Sequence, residues 1–330
     1  MKTEYTCREV YEEGAALLSE MEEGRLDARL LLEHFCGIEV HRLLADPDLP
    51  VQAAAREAYL GGVRRRALRE PLAYIIGEQS FMGLPFVVSE DVLIPEQDTE
   101  NLVEEALKVL DDGSRILDLC TGSGCILLSL LNYSNGCFGV GTDLSPQALE
   151  IARRNARALG LEADAVWLQG DLFEALEDLQ NRKELQKRPS GTGNDRRNLE
   201  KDPGEGAGEE PSAHLWARTE TRARFDLIVS NPPYIPSAVI GTLAPEVRCA
   251  EPRLALDGGA DGLDFYRRII AQAPDHLVIG GRLMLEIGYD QAGAVAGLLR
   301  DKGYYGIEII RDYGGNDRIA TAVRSVRQDR

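Results

Sequence analysis

The sequence predicts an α/β fold: a doubly wound, mostly parallel sheet, with a small N-terminal helical domain and a connecting β-hairpin. Three observations predict it. Apolar residues recur at helical spacing through residues 1–75, short β-like runs follow as far as residue 95, and strands then alternate with helices. Such alternation produces right-handed βαβ units, in which the strands are parallel and helices cover both faces of the sheet.

Three amphipathic helices are predicted within the N-terminal domain, residues 1–75. The first is indicated by apolar spacing over 10–21, and the second ends at Gly37, a typical helix stop. The third covers 51–66 and finishes with the cluster Arg64–Arg66. This cluster suits either the negative end of a helix dipole or contact with a partner, and both interpretations stay open.

A β-hairpin linker is predicted over residues 76–95. Glycines and prolines separate the three β-like runs that indicate it, which are Tyr74–Ile76, Phe86–Val88 and Val92–Ile94. A further amphipathic helix is then predicted over residues 98–110, because its apolar residues lie on one side.

The remaining residues, 96–330, are predicted to form the α/β domain. Helices are expected over Cys125–Asn132 and after Ser145, a good N-cap that Pro146 follows at the first helical position. The predicted strands are Arg115–Leu119, Phe138–Thr142, Ala165–Leu168, Phe225–Ser230 and Leu283–Ile287.

The alternation of strands and helices is interrupted over residues 180–222. This stretch holds nine basic and eight acidic residues, many glycines and few apolar positions. Such a segment buries too little apolar surface to offset the entropy of ordering it. We therefore expect a disordered insertion between two strands rather than a domain.

Charge disfavours two classes of partner. The chain has 37 Lys and Arg against 55 Asp and Glu, a formal net charge of −18. Phosphates must be neutralised by clustered cations, and anionic lipids attract polybasic segments, so neither direct nucleic-acid binding nor membrane binding is expected.

Cysteine usage indicates the compartment. The six cysteines are scattered, without a C-x-x-C pair or a histidine at ligand spacing. In a chain of 330 residues this pattern indicates reduced thiols, a cytoplasmic location and no metal site. The N-terminal residues are acidic and lack an apolar h-region, so no signal peptide is expected.

A glycine motif lies between a predicted strand and a predicted helix: Asp118-Leu119-Cys120-Thr121-Gly122-Ser123-Gly124. Glycines let a ligand approach the backbone, and a helix N-terminus offers unpaired N–H groups. A dinucleotide fingerprint needs a third glycine where Leu127 stands. The motif, with Asp118 in front, therefore favours an adenosyl ligand without a pyrophosphate over NAD. A tight strand–helix turn without a ligand is the alternative.

Two further acidic residues follow predicted strands. Asp143 ends the second strand, where an acidic side chain hydrogen-bonds ribose hydroxyls in nucleotide-binding α/β folds. Asp171 comes after the third, where it can accept a hydrogen bond from an adenine amino group while Leu172 packs on the ring. An N-cap for residues 172–179 is the alternative role of Asp171.

The motif Asn231-Pro232-Pro233-Tyr234 directly follows a predicted strand. Prolines fix the backbone and lack N–H donors, so carbonyl groups stay free to accept hydrogen bonds. A planar amino group could donate one N–H to the Asn231 side chain and the other to the Pro232 carbonyl, beside the aromatic face of Tyr234. This arrangement predicts methyl transfer to a weakly nucleophilic amide or arylamine nitrogen.

With these motifs the chain resembles the release factor glutamine methyltransferases, the PrmC/HemK family of class I, S-adenosylmethionine-dependent enzymes with a Rossmann-like fold. The resemblance covers nearly all residues outside 180–222. Besides the glycine motif, the matching stretches are Glu70–Gly77, Phe81–Leu84, Val92–Pro95, Asp98–Glu100, Phe225–Pro236, Glu251–Gly259 and Glu286–Gly288. One departure is Glu96, because Arg normally follows Pro95 in this family.

The resemblance implies S-adenosyl-L-methionine as cofactor, S-adenosyl-L-homocysteine as product and peptide-chain release factors as protein substrates, gripped by the helical domain of a monomer. The methylated atom would be the side-chain amide nitrogen (N5) of the glutamine in a Gly-Gly-Gln motif. Asn231, Pro232 and Tyr234 would be catalytic, and together with Pro233 they would hold the glutamine. The cofactor site would comprise Asp118, Cys120, Thr121, Gly122, Ser123, Gly124, Asp143, Asp171, Leu172 and Asn231.

Two other functions stay open at this point. An adenine-N6 or other nucleic-acid amino methyltransferase uses the same kind of Pro-Pro-aromatic motif, although base flipping needs a cationic track that the folded regions do not obviously provide. The other is a cofactor-binding protein that has lost catalysis, for which Glu96 is the only sign.

Overall fold

The computed structural model describes residues 5–176 and 224–326, so the insertion expected at 180–222 lies outside the described residues. The N-terminal elements are β1 (Tyr5–Thr6), α1 (Cys7–Leu17), α2 (Gly24–Cys36), α3 (Val40–Ala45), β2 (Pro50–Val51) and α4 (Ala53–Ala67). Thr6 and Glu9 form a capping box at the start of α1, and Gly37 ends α2 in the left-handed conformation. The three predicted helices are therefore present, and α3 is an addition too short to show helical spacing.

Two runs before the sheet differ from the prediction. Tyr74–Ile76, predicted as a strand, lies in a short helix, α5 (Leu72–Ile76), which Gly77 ends with a φ of 81°. Val92–Ile94 forms no strand either; Val92 is a buried loop residue whose carbonyl accepts a 2.6 Å hydrogen bond from the Tyr74 hydroxyl. A three-residue apolar run does not distinguish a helix, a strand and a buried loop, so tertiary packing decides among them.

The predicted hairpin is formed by β3 (Glu78–Phe81) and β4 (Leu84–Val87), which pair antiparallel. Its turn residues, Met82 and Gly83, both have positive φ, 52° and 71°, as a type I′ turn requires. The turn is attached to the next helix, because the Met82 N–H donates a 2.6 Å hydrogen bond to the Glu100 carboxylate.

Seven strands form the central sheet: β5 (Arg115–Leu119), β6 (Phe138–Asp143), β7 (Ala165–Gln169), β8 (Phe225–Ser230), β9 (Leu277–Glu286), β10 (Tyr305–Arg311) and β11 (Asp317–Val323). Their order across the sheet is β10-β11-β9-β8-β5-β6-β7. The five strands from β7 to β9 in this order are parallel, and β11 and β10 are antiparallel to their neighbours. The mostly parallel, doubly wound sheet is thereby confirmed.

Helices cover both faces of this sheet. The α-helices described after the hairpin are α6 (Gln97–Leu107), α7 (Cys125–Tyr133), α8 (Pro146–Leu159), α9 (Pro245–Ala250), α10 (Arg253–Leu256), α11 (Asp264–His276) and α12 (Ala292–Lys302). Buried residues of α6, α7 and α8 pack with one face, and those of α11 and α12 pack with the other. The two apolar clusters are the core that holds the carboxyl ends of the strands in place.

The chain changes direction across the sheet at β5, and this position determines where the motifs meet. β5 has β6 on one side and β8 on the other, both parallel to it. Ligands of open α/β sheets bind beyond the carboxyl ends of the strands at such a switch point. The glycine motif after β5, Asp143 at the end of β6 and Asn231 after β8 all lie at this edge.

Asn155 of α8 connects the hairpin to the glycine motif, and its loss should be costly. Its Oδ1 accepts from the Val87 N–H at 2.8 Å, while its Nδ2 donates to the carbonyls of Val87 at 3.1 Å and Ser123 at 2.9 Å. The residue is fully buried, so Asn155→Ala leaves three backbone groups without partners. We expect the free energy of unfolding to fall by about 2–4 kcal/mol in denaturant titrations. An unchanged value would contradict this role, and the exposed Asn132→Ala is the control.

Candidate active site

The backbone of the glycine motif adopts a strained conformation between β5 and α7. Positive φ angles occur at Cys120 (58°), Gly122 (55°) and Gly124 (79°). A Cβ atom on Gly124 would lie 2.8 Å from the Trp167 ring, so this turn also depends on close packing. Cys120 has a side chain and still adopts this conformation, which is the kind of strain that concentrates at ligand sites. The first N–H groups of α7 have no helical partner and lie next to the motif.

Asp118 lies beneath this motif and is fully buried. Its Oδ2 accepts a 2.5 Å hydrogen bond from the Thr121 hydroxyl. The other oxygen, Oδ1, has no partner with hydrogen-bond geometry among the described residues, although the Leu127 backbone N–H lies nearby. Burial, opposed by the Thr121 bond, raises the pKa of the carboxyl to about 7. Asp118 therefore supports the motif from below and has one acceptor atom left over.

Asp143 connects the motif to the start of α8. Its Oδ2 accepts from the Gly122 N–H and its Oδ1 from the Ser145 N–H, both at 2.9 Å. Burial raises the pKa of this carboxyl, and the two N–H bonds oppose that effect. The Leu144 backbone N–H also interacts with this carboxylate. Two carboxylate oxygens together offer about four lone-pair positions, so the side chain can still accept from a hydroxyl group of a ligand.

The side chains of Asp171 and Leu172, which follow the third strand, lie in different surroundings. The Asp171 carboxylate forms a 2.8 Å ion pair with Arg268 of α11, at the surface. Leu172 has a φ of 52°, and its side chain is buried in the core cluster beside α11. Arg268 was not singled out from the sequence, because an arginine at a helix surface is ordinary.

The four residues of the proline motif leave the carboxyl end of β8 with their acceptors available. Pro232 and Pro233 are buried, and Asn231 and Tyr234 are partly exposed. The Asn231 Nδ2 atom donates to the Thr99 hydroxyl oxygen of α6 at 3.2 Å, which leaves Oδ1 to accept. Among residues 5–176 and 224–326, none donates to the Pro232 carbonyl.

Backbone contacts fix the motif against the following loop. The N–H of Ile235 donates to the Leu256 carbonyl at 3.0 Å, and the N–H of Gly258 donates to the Ile235 carbonyl at 2.9 Å. Gln291 is buried, and its Nε2 donates to the carbonyls of Tyr234 at 2.9 Å and Gly262 at 3.2 Å. Gln291 was missed from the sequence, because a glutamine that bonds two distant carbonyls has no local pattern.

Gly258→Ala should disturb this motif directly. A Cβ atom at residue 258 would lie 2.7 Å from the Tyr234 Cα and 2.9 Å from the Pro233 carbonyl oxygen. Both neighbours are backbone atoms, so the clash can be relieved only by moving the motif. We expect kcat to fall at least about tenfold, because acceptors held about 1 Å from their productive positions lose much of their effect. Gly297→Ala, in the open surface of α12, is the control; equal kcat for both variants would contradict the prediction.

Acidic groups surround the motif. Burial, with a smaller contribution from the neighbouring Glu96, raises the pKa of Glu251 to about 7. Burial and the neighbouring Asp98 also raise the pKa of Glu96, and Arg318 opposes this rise. Arg318 is the nearby cation, and it pairs with Asp98 at 2.8 Å and with Asp312 at 3.1 Å.

Two negative observations apply to residues 5–176 and 224–326. No group of three or more His, Cys, Asp or Glu side chains in these ranges is arranged to hold a metal ion. No helix in the same ranges is both long and apolar enough to cross a membrane.

Known proteins are similar to this chain over nearly its whole length. Residues 9–77 match the PrmC N-terminal domain family, and residues 116–184 match a family described as a methyltransferase domain. A release factor glutamine methyltransferase from Geobacter sulfurreducens is 39% identical over 317 residues, which cover 96% of this chain and 95% of that protein. One from Rhodospirillum rubrum is 41% identical over 305 residues, covering 92% and 80%.

A solved structure is also similar. It is a release factor-specific protein-(glutamine-N5) methyltransferase from Alicyclobacillus acidocaldarius, 28% identical, and the match covers 73% of this chain and 99% of that one with a TM-score of 0.38.

Proposed function

Because the chain belongs to the release factor glutamine methyltransferase family, we propose that it methylates the side-chain amide nitrogen (N5) of the glutamine in the Gly-Gly-Gln motif of peptide-chain release factors. The observation that carries this proposal is the direction of the Asn231 amide. Its Nδ2 donates to Thr99, so Oδ1 is left to accept from a substrate N–H. A primary amide has two N–H donors, and the Pro232 carbonyl is the acceptor for the second.

S-adenosyl-L-methionine is the proposed cofactor; when bound, it supplies an electrophilic methyl group and leaves as S-adenosyl-L-homocysteine. The residues at the switch point fit such a ligand. The unpaired Oδ1 of Asp118 suits a cationic group, and Asp143 has lone pairs left for ribose hydroxyls. We assign the adenine amino group to Asp171 and the backbone contacts of the cofactor to Cys120–Gly124, with Leu172 beside them.

The substrate amide is a weak nucleophile, because its lone pair is delocalised into the carbonyl. Positioning is therefore the main contribution of this chain, and near-attack geometry can supply about 7–11 kcal/mol of the barrier. Hydrogen bonds from the amide N–H groups to Asn231 and Pro232 raise the electron density on nitrogen as the new bond forms. Burial raises the pKa of Tyr234, so its phenol stays protonated and the released proton goes to water.

The oligomeric state, the compartment and the partner of the enzyme complete its proposed function. We infer that the enzyme is a monomer. We also infer that it acts in the cytoplasm, because the scattered cysteines of the sequence suit a reducing compartment. Its partner is a release factor, and neither nucleic acid nor a membrane is part of the reaction. The acidic folded regions suit a basic partner.

Incubation with methyl-labelled cofactor tests the function. We expect label in a purified release factor and none in a variant whose Gly-Gly-Gln glutamine is replaced by alanine. A DNA duplex in a parallel reaction should stay unlabelled. Label in DNA would instead support the nucleic-acid methyltransferase, and cofactor binding without any labelled acceptor would support a protein that has lost catalysis.

A further inference from the structure

The side-chain amide of Asn231 is connected to a buried carboxylate through Thr99. Thr99, on α6, is 3% exposed, and Glu286, the last residue of β9, is 1% exposed. The Thr99 hydroxyl oxygen accepts from Asn231 Nδ2 at 3.2 Å. The same hydroxyl is close enough to the Glu286 carboxylate to donate to it, and this interaction lowers the pKa of Glu286. A second oxygen of Glu286, Oε2, has no partner among the described residues.

When Glu286 is ionised, the hydrogen bonds that link Asn231, Thr99 and Glu286 can run in only one direction. A carboxylate can only accept, so the single Thr99 hydrogen must point to Glu286. The Thr99 oxygen can then only accept, and its partner must be the NH2 end of the Asn231 amide. Asn231 Oδ1 is thereby turned away from Thr99, towards the place where we propose that the substrate donates an N–H.

The opposite direction becomes available when Glu286 is protonated. The carboxyl can then donate to the Thr99 oxygen, which frees the Thr99 hydrogen to bond Asn231 Oδ1 after the amide rotates by half a turn. Asn231 would present N–H groups to the N–H groups of the substrate. Two donors facing each other cannot bond, so this arrangement is unproductive.

We propose that Thr99 and Glu286 are positioning residues that set which end of the Asn231 amide faces the substrate, and that ionised Glu286 is required for full turnover. This proposal rests on the proposed function, because it needs an N–H donor as substrate. Thr99 and Glu286 occur in the stretches Asp98–Glu100 and Glu286–Gly288, which resemble the family but contain none of the expected site residues; Thr99 is the neighbour of Asn231 in space.

The surroundings of Glu286 make this proton dependence relevant near neutral pH. Burial raises the pKa of Glu286 to about 7, Glu96 and Asp98 add to the rise, and the Thr99 bond and Arg318 oppose it. The other titratable groups that interact with it across neighbouring elements are Tyr234, Tyr266 and Cys125. We call the series Glu286–Thr99–Asn231 the relay. Above about pH 7 the Glu286 carboxylate is ionised and only the productive direction of the relay exists, whereas below about pH 7 the unproductive direction competes with it.

Variants of Thr99 test the relay first. Thr99→Val keeps the shape but can neither accept nor donate, so we expect kcat to fall about 10- to 100-fold while cofactor Kd is unchanged. Thr99→Ser keeps the hydroxyl and should restore kcat. Wild-type kcat in the valine variant would overturn the proposal, as would equal loss in the serine variant.

The pH dependence of kcat at saturating cofactor tests the role of Glu286. We expect wild-type kcat to fall as pH decreases through about 7. Glu286→Gln cannot ionise and can donate to Thr99 as well as accept from it, so both directions stay available at every pH. Its kcat should therefore be lower than the wild-type maximum and should not vary with pH in this range. Glu251→Gln is the matched control, because Glu251 also has a pKa of about 7 but is outside the relay, and it should keep the wild-type profile. A profile that is unchanged in Glu286→Gln would overturn the proposal.

A measurement that does not depend on turnover distinguishes a failure of this proposal from a failure of the proposed function. In wild-type protein the side-chain NH2 resonances of Asn231 should shift with a midpoint near pH 7, and in Glu286→Gln they should not. If no release factor is labelled, the proposed function fails while this titration still tests the relay. If Asn231→Ala is inactive but Thr99→Val and the titration are unaffected, only the relay fails.

Discussion

Replacing Asn231 with alanine is expected to lower kcat by about 10²- to 10³-fold, the largest effect on turnover that we predict for a single substitution. The variant removes the Oδ1 acceptor that faces away from Thr99. With it goes the hydrogen bond that we propose holds the substrate nitrogen in line with the methyl donor. The motif backbone is held separately by Gly258 and Gln291, so the fold should persist. Steady-state kinetics with a release factor, at saturating cofactor, measures the change.

Two controls make this result specific. Asn132→Ala removes an exposed asparagine at the end of α7 and should keep wild-type kcat. Calorimetric binding of S-adenosyl-L-homocysteine to Asn231→Ala should stay close to wild type, because the backbone sites of Cys120–Gly124 are unaffected. Turnover near the wild-type rate would exclude Asn231 from the role we assign to it.

Replacing Asp143 with alanine should produce the largest loss of cofactor affinity. The carboxylate organises the N–H groups of Gly122 and Ser145, each at 2.9 Å, and is the group we assign to the ribose hydroxyls. Hydrogen bonds to a charged group contribute about 1.5–3 kcal/mol each, so the Kd for S-adenosyl-L-homocysteine should rise at least about 100-fold. Titration calorimetry measures this Kd directly.

The matched control for this loss is Asp301→Ala, at an exposed position near the end of α12. It removes the same charge from the protein without touching the switch point, so its Kd should equal that of the wild type. An equal rise in both variants would mean that net charge, and not the ribose contact, determines affinity.

Sequence reasoning located the parts of this site whose chemistry is concentrated in contiguous residues. The glycine motif, Asp143 and the motif Asn231–Tyr234 each follow a strand with a clear apolar pattern, and parallel strands bring such positions to one edge. The mostly parallel sheet was predictable for the same reason. β10 and β11 were not predicted; they form an antiparallel pair at one side of the sheet, outside the strand–helix alternation.

Other parts depend on contacts between distant residues, which no local pattern reveals. Gln291 bonds Tyr234 across 57 positions of the chain, and Asn155 bonds Val87 across 68. Tyr74–Ile76 was predicted as a strand because three apolar residues fit both periodicities, and the structure makes it helical. Thr99 and Glu286 stood in recognisable stretches, but only their shared burial beside Asn231 indicates what they do.

If the substrate amide donates to both proposed acceptors, they also limit how many methyl groups one nitrogen receives. A primary amide has two N–H donors, one for Asn231 Oδ1 and one for the Pro232 carbonyl. After one transfer the product has a single N–H, so one acceptor in this pocket loses its partner and the added methyl group lies against it. On the proposed binding mode the monomethylated glutamine therefore binds more weakly than the unmodified one. We therefore expect one methyl group per glutamine and no dimethylated amide.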